Sequence, residues 1–146
     1  MNITILPSKA NGEIKAQPSK SMAHRLIIAA VLAKGKSVIK NVVMSEDIKA
    51  TLSAAETFGA KYEISGDEIT VDSKGFNPEK NAVINCNESG STLRFLIPVA
   101  LTADFPIVFS GKPRLMERPL GEYENICKKE RLAFDRKDGN ITVCGS

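Results

Sequence analysis

Along this chain the apolar positions alternate between strand spacing and helical spacing. Ile3 to Leu6 alternate weakly and stop at Pro7, and Gly12 to Ala16 form a second extended piece running into Pro18, so both predict strands. From Ser21 to Ala33 the apolar residues Leu26, Ile27, Ala30 and Val31 recur as one face of a helix, with Gly35 where a C-terminal glycine belongs. Ser37 to Val42 predicts a strand. Ser45, Glu46 and Asp47 then supply the cap and first-turn acids of a second helix, whose Ile48, Leu52, Ala55 and Phe58 face inward before Gly59 stops it. Lys61 to Ile64 and Glu68 to Val71 flank Gly66-Asp67 as a hairpin.

The same order then recurs. Ala82 to Cys86 predicts a strand, and Glu88 to Arg94 opens a helix carrying Leu93, Leu96, Ile97, Ala100 and Leu101 inward, with Pro98 as a source of bending. Phe105 to Phe109 predicts a strand. Pro119 starts a helix with Leu120, Tyr123 and Ile126 inward, and Leu132 to Asp135 with Asn140 to Cys144 flank Asp138-Gly139 as a second hairpin. Ser21 and Ser91 lie 70 residues apart, and the hairpin ends Val71 and Val143 lie 72 apart. Element order, more than residue identity, therefore predicts two βαβαββ units in an α+β, α/β-like fold. The boundaries expected are 17–73 for the first unit and 81–146 for the second. Ser73 to Lys80, with Gly75 and Pro78, reads as a loop between them.

Composition narrows the classes. The 146 residues are 42% hydrophobic and 25% charged, the balance of a globular chain able to bury a core. A net charge of +3, dispersed, with two Tyr, six Phe and no Trp, argues against nucleic acid. No apolar run has membrane-spanning length and Met1 to Leu6 lack the pattern of a signal peptide, so the expected address is cytoplasmic. Cys86, Cys127 and Cys144 are odd in number and show no metal-ligand spacing; they predict free, buried thiols and no metal site. The single His24 reads as an ordinary hydrogen-bonding residue rather than a catalytic base.

Candidate chemistry gathers at the helix starts. In Pro18-Ser19-Lys20-Ser21-Met22-Ala23-His24-Arg25, a helix N-terminus with unpaired N–H groups meets the ammonium of Lys20, the hydroxyl of Ser21 and the guanidinium of Arg25. That set suits an anion, although a capped surface helix with solvated charges has the same residues. The repeat strengthens the functional reading, because Ser89-Gly90-Ser91 followed by Arg94 offers a second polar helix start with an arginine one turn on.

Four linked motifs resemble one family: Pro18-Ser19-Lys20-Ser21 with Arg25; Ser45-Glu46-Asp47; Glu88-Ser89-Gly90-Ser91-Thr92-Leu93-Arg94; and Gly111-Lys112-Pro113-Arg114 leading to Glu117-Arg118-Pro119. In this order they are similar to the amino-terminal part of the 5-enolpyruvylshikimate-3-phosphate synthase family, whose members are about three times as long. The resemblance implies the enolpyruvyl transferase fold, two domains of three βαβαββ units each, with two units present here. It also implies that residues 1–16 supply strands to the other domain, so that in this chain they lack partners and invite self-pairing or disorder.

The activity the resemblance implies is transfer of the carboxyvinyl group of phosphoenolpyruvate to the 5-hydroxyl of shikimate 3-phosphate, releasing phosphate, within aromatic amino-acid biosynthesis and with no cofactor. Carried over, Lys20 touches both substrates and counts as the catalytic residue; Ser21 and Arg25 hold the shikimate phosphate. Gly90 and Arg118 serve phosphoenolpyruvate, and Ser91 and Arg94 line the same cleft. The partners implied are these two small molecules and the carboxy-terminal remainder of such an enzyme. The family's acid and base groups fall beyond Ser146, so the fragment is expected to be inactive alone, and Asp47 and Glu88 keep their reading as helix-capping acids. Arg114 and Lys112 read equally as cleft-rim or solvated charges. Two alternatives stand beside this: a non-catalytic anion-binding fragment, and a relative of UDP-N-acetylglucosamine enolpyruvyl transferase, disfavoured by Ser21 after Lys20 and by the lack of a matching loop cysteine.

Overall fold

The computed structural model describes residues 3, 4, 6, 7, 9 and 11–145. The chain runs α1 (Lys20–Leu32), β1 (Lys34–Ile39), α2 (Glu46–Thr57), β2 (Lys61–Ser65), β3 (Glu68–Lys74), β4 (Val83–Asn85), α3 (Gly90–Ala100), β5 (Ile107–Ser110), α4 (Pro113–Met116), α5 (Gly121–Glu130), β6 (Ala133–Lys137) and β7 (Asn140–Cys144). The strands form two sheets, β1-β3-β2 and β4-β5-β7-β6. Each contains the expected antiparallel hairpin, with Ser65 opposite Glu68 and Lys137 opposite Asn140. The turns work because Gly66, Asp138 and Gly139 take positive φ.

Helices α1, α2 and α3 carry the core. α1 packs on β1, β3, α2 and α3, while α2 packs on β2 and β4, so α1, α2 and α3 meet between the sheets. One core joins both halves, with Ile27, Ile48, Leu52, Phe58, Leu93, Ile97 and Ile107 fully buried. Burial of whole aliphatic and aromatic side chains on this scale is the main force holding helices to sheets. No helix among the described residues is long and apolar enough to cross a membrane.

The repeat is visible, with α4 added in the second unit and a difference at the sheet edge. In the second unit β4 lies parallel to β5 and supplies an outer strand, Val83 opposite Val108. In the first, no described strand pairs with the outer edge of β1. Gly12 to Ala16, expected as a strand, is not one: Ile14 is 95% exposed, whereas Ile84, 70 residues on, is fully buried in β4. A strand exists only through its lateral partner, and none is supplied to this segment. Ile3, Thr4 and Leu6 are likewise exposed and outside any strand, while Ile5 of that expected element lies outside the described residues.

Several boundaries shift. Helix α1 passes into β1 through an extended Ala33, so Gly35 is no helix terminator but sits inside the strand opposite Ser73. β1 accordingly covers Lys34–Ile39 rather than 37–42. The inward stripe of α1 uses His24 with Ala23, Ile27, Ala30 and Val31, leaving Leu26 half exposed, because His24 finds a buried partner. Helix α5 begins at Gly121, with Leu120 anchored in the core as its cap; the face turns accordingly, burying Cys127 and exposing Ile126. Cys86 and Cys127 are buried free thiols as expected, and burial pushes the Cys86 thiol up to about 12, but Cys144 is only half-buried. Pro98 does not stop α3. The Arg94 carbonyl, which Pro98 has no N–H to serve, accepts a hydrogen bond of 2.9 Å from the Tyr123 hydroxyl.

Candidate functional site

The three long inner helices start alike. Ser19, Ser45 and Ser89 are N-caps whose hydroxyls accept from the amides of Met22 (3.2 Å), Ile48 (3.3 Å) and Thr92 (3.2 Å). Each cap satisfies one orphan N–H and leaves the first two turn amides facing outward, those of Lys20 and Ser21 on α1 and of Gly90 and Ser91 on α3.

Side chains link these starts. The Lys20 ammonium lies 2.6 Å from the Asp47 carboxylate at the start of α2. Arg25 donates to both the carbonyl (3.0 Å) and the hydroxyl of Ser21, and its guanidinium stacks on the Phe95 ring of α3 at 4.5 Å. Gly90 lies beneath two arginines: a Cβ there would come within 2.7 Å of Arg118 Nη1 and 3.3 Å of Arg94 Nη1. Only glycine lets both guanidinium groups rest on the α3 start.

A cleft of about 350 Å³ is lined by Asp47, Glu88, Gly90, Ser91, Arg94, Phe95 and Arg118. A second hollow of about 270 Å³ shares Asp47, Glu88 and Arg118 and adds Arg114 and Leu115. Every α3-side residue expected from sequence is therefore in one place. Lys20, Ser21 and Arg25 do not line these hollows but border them through Asp47 and Phe95. A wider hollow of about 560 Å³ lies at the far end of α2, lined by Glu56, Glu79, Lys80 and uncharged residues. It has volume without converging cations, and the chemistry favours the helix starts.

Sequence reading passed over four contributors. Asp47, taken as a capping acid, is also the partner of Lys20 across 27 residues. Phe95 carries the Arg25 stack. Glu88 holds Lys112 at 3.4 Å, which directs that acid toward the rim. Arg136 on β6 donates to the carbonyls of Met116 and Arg118, both at 3.0 Å, and pairs with Glu124 at 3.0 Å, so it clamps the loop carrying Arg118. Their contacts have no local signature; each depends on which elements the fold brings together.

The geometry yields a cation-rich edge with two outward-facing helix starts, suited to ligands bearing two separated anionic groups. Comparison with known proteins places the chain in a family. A family profile described as EPSP synthase (3-phosphoshikimate 1-carboxyvinyltransferase) matches residues 6–125. The chain is 42% identical over 142 residues to a 3-phosphoshikimate 1-carboxyvinyltransferase of Clostridium perfringens (strain SM101 / Type A), covering 97% of this chain and 34% of that protein. It is 43% identical over 151 residues to the protein of that name from Clostridium novyi (strain NT), covering 97% and 35%. An EPSP synthase structure from Acinetobacter baumannii superposes with a TM-score of 0.75 at 22% identity, covering 92% of this chain and 32% of that one, a likeness of fold. The chain spans about a third of the length of the curated relatives it matches. On the family match across residues 6–125, this chain belongs to the EPSP synthase family.

Proposed function

We propose that this chain forms one wall of an enolpyruvyl-transfer site, in which the carboxyvinyl group of phosphoenolpyruvate passes to the 5-hydroxyl of shikimate 3-phosphate with release of phosphate. The observation that carries the reading is the convergence of Arg94 and Arg118 over Gly90 beside the Lys20–Asp47 pair. In this reading Ser21 and Arg25 hold the shikimate phosphate. Gly90 and Arg118 receive phosphoenolpyruvate at the α3 start, with Ser91 and Arg94 lining the cleft, and Lys20 reaches both ligands once it leaves Asp47.

Two polyanions repel, so cations on both sides must neutralise them before hydroxyl and enol carbon can align. The proton transfers of the reaction need further acid and base groups and exclusion of water, which one open wall does not supply. Alone, the chain therefore binds without turnover. Residues 17–73 and 81–146 act as the two units, and residues 1–16 pair with strands outside them, a reading supported by the exposure of Ile14. We place the reaction in the cytoplasm, where a pathway working on charged small molecules keeps them.

Calorimetric titration of the chain with shikimate 3-phosphate tests the proposal. Weak binding that Arg25→Ala weakens further is expected. Binding untouched by that substitution contradicts the assignment.

A further inference from the structure

Behind the site, between α1, α2 and α3, runs a buried line of polar side chains. His24 Nδ1 lies 2.7 Å from Thr51 Oγ1; Thr51 Oγ1 lies 2.7 Å from Thr92 Oγ1; Thr92 Oγ1 donates to Ser89 Oγ at 2.6 Å. His24, Thr51, Thr92 and Ser89 are all buried. The order of protons follows from counting them. Thr92 gives its one hydroxyl proton to Ser89, a shorter contact than the Asp47 carbonyl at 3.4 Å, and Thr51 gives its own either to Thr92 or to that carbonyl, 3.3 Å away. Thr51 then has none left for His24, so Nδ1 carries the proton that joins them, whereas the other tautomer would bury an Nε2–H with no acceptor. Nε2 is left bare, buried and without a partner.

We infer that His24, Thr51 and Thr92 are positioning residues, a proton-ordered strut that fixes the starts of α1 and α3 at the spacing the two anionic ligands require. This rests on the function proposed above. Each member of the strut adjoins a binding residue: His24 precedes Arg25, Thr92 follows Ser91, and the Asp47 carbonyl lies 3.3 Å from Thr51 Oγ1 and 3.4 Å from Thr92 Oγ1. Apolar side chains could fill the same space, yet they would let the helices slide, whereas short directed hydrogen bonds hold one register. The line ends at Ser89, the cap that leaves the Gly90 and Ser91 amides facing outward.

The test compares wild type with Thr51→Val, which keeps the shape and deletes the hydroxyl, and with Thr51→Ser, which restores it. Two readouts are taken below the melting temperature, with circular dichroism recording the fold. Nitrogen NMR of the His24 ring is expected to show the proton on Nδ1 in wild type and Thr51→Ser. Titration with shikimate 3-phosphate is expected to give equal affinity for those two and about tenfold weaker binding for folded Thr51→Val, the scale set by leaving a buried hydrogen-bonding group unpaired. A folded Thr51→Val that binds as wild type does, or a wild-type His24 protonated on Nε2, overturns the strut. No binding by wild type overturns the proposed function instead, and the strut's purpose with it. Should Thr51→Val fail to fold, His24→Asn, whose amide nitrogen can replace Nδ1, is compared with His24→Leu: affinity kept by Asn and lost by Leu supports the strut, and equal affinity in both overturns it.

Discussion

The Lys20 ammonium and the Asp47 carboxylate sit 2.6 Å apart at the mouth of the site, joining the starts of α1 and α2. Both are partly exposed, 55% and 33%, so the pair itself stabilises the fold by at most about 1 kcal/mol. Its consequence is for ligands: the carboxylate occupies the cation and adds a negative charge where anions bind. Asp47→Asn is expected to leave the melting temperature nearly unchanged and to tighten binding of shikimate 3-phosphate about three- to tenfold at low salt, less at high salt. Unchanged affinity measured by calorimetry at both salt concentrations would refute this role.

Arg118 is held from two sides, by the open space over Gly90 and by the clamp of Arg136 on its carbonyl. Gly90→Ala puts a methyl 2.7 Å from Arg118 Nη1, a flexible side-chain end that moves away, so the fold survives while phosphoenolpyruvate affinity drops about tenfold. Arg136→Lys loses the two-pronged grip and is expected to lower that affinity about three- to tenfold. In both variants shikimate 3-phosphate affinity stays within about twofold, because the α1 arm is untouched. Equal losses for both ligands would mean general damage rather than displacement of Arg118.

Burial holds the His24 imidazole below its ordinary value of 6.5, aided by the charges of Lys20 and Arg25 and opposed by Asp47. The folded value is lower than the unfolded one, so the unfolded chain takes up the proton first as the pH drops. Stability from a neutral His24 is present in full above about 6.5 and is lost as the pH falls from there through the lowered folded value. Thermal melts of wild type should therefore decline with acidity just below pH 6.5, and His24→Asn should flatten that part of the curve. Parallel curves for the two proteins would show that His24 does not titrate with unfolding.

What could be read from sequence depended on how local its cause was. Helix α2 was legible because its cap Ser45, first-turn acids, inward face and stop at Gly59 all lie within the segment. Both hairpins were legible from their turn residues. Gly12 to Ala16 has the pattern of a strand but forms none, because strand formation is decided by a partner, not by the segment. An apolar count favours Leu26 over His24 for the core because it does not see Thr51 across the helix interface. The binding residues were recognised through four linked motifs, yet Asp47 as a partner of Lys20, Phe95 beneath Arg25 and Arg136 behind Arg118 required the fold. The short α4 was also missed, since Pro113–Met116 is too brief to show a period.

The central claim is that the starts of α1 and α3 are the two arms of one anion site, and amide-detected NMR titration of the chain tests it most directly. Shikimate 3-phosphate is predicted to shift the amides of Lys20, Ser21 and Arg25, and phosphoenolpyruvate those of Gly90, Ser91 and Arg94. Shifts centred instead on the hollow beside Glu56 and Lys80, or no saturable shift with either ligand, would contradict the account.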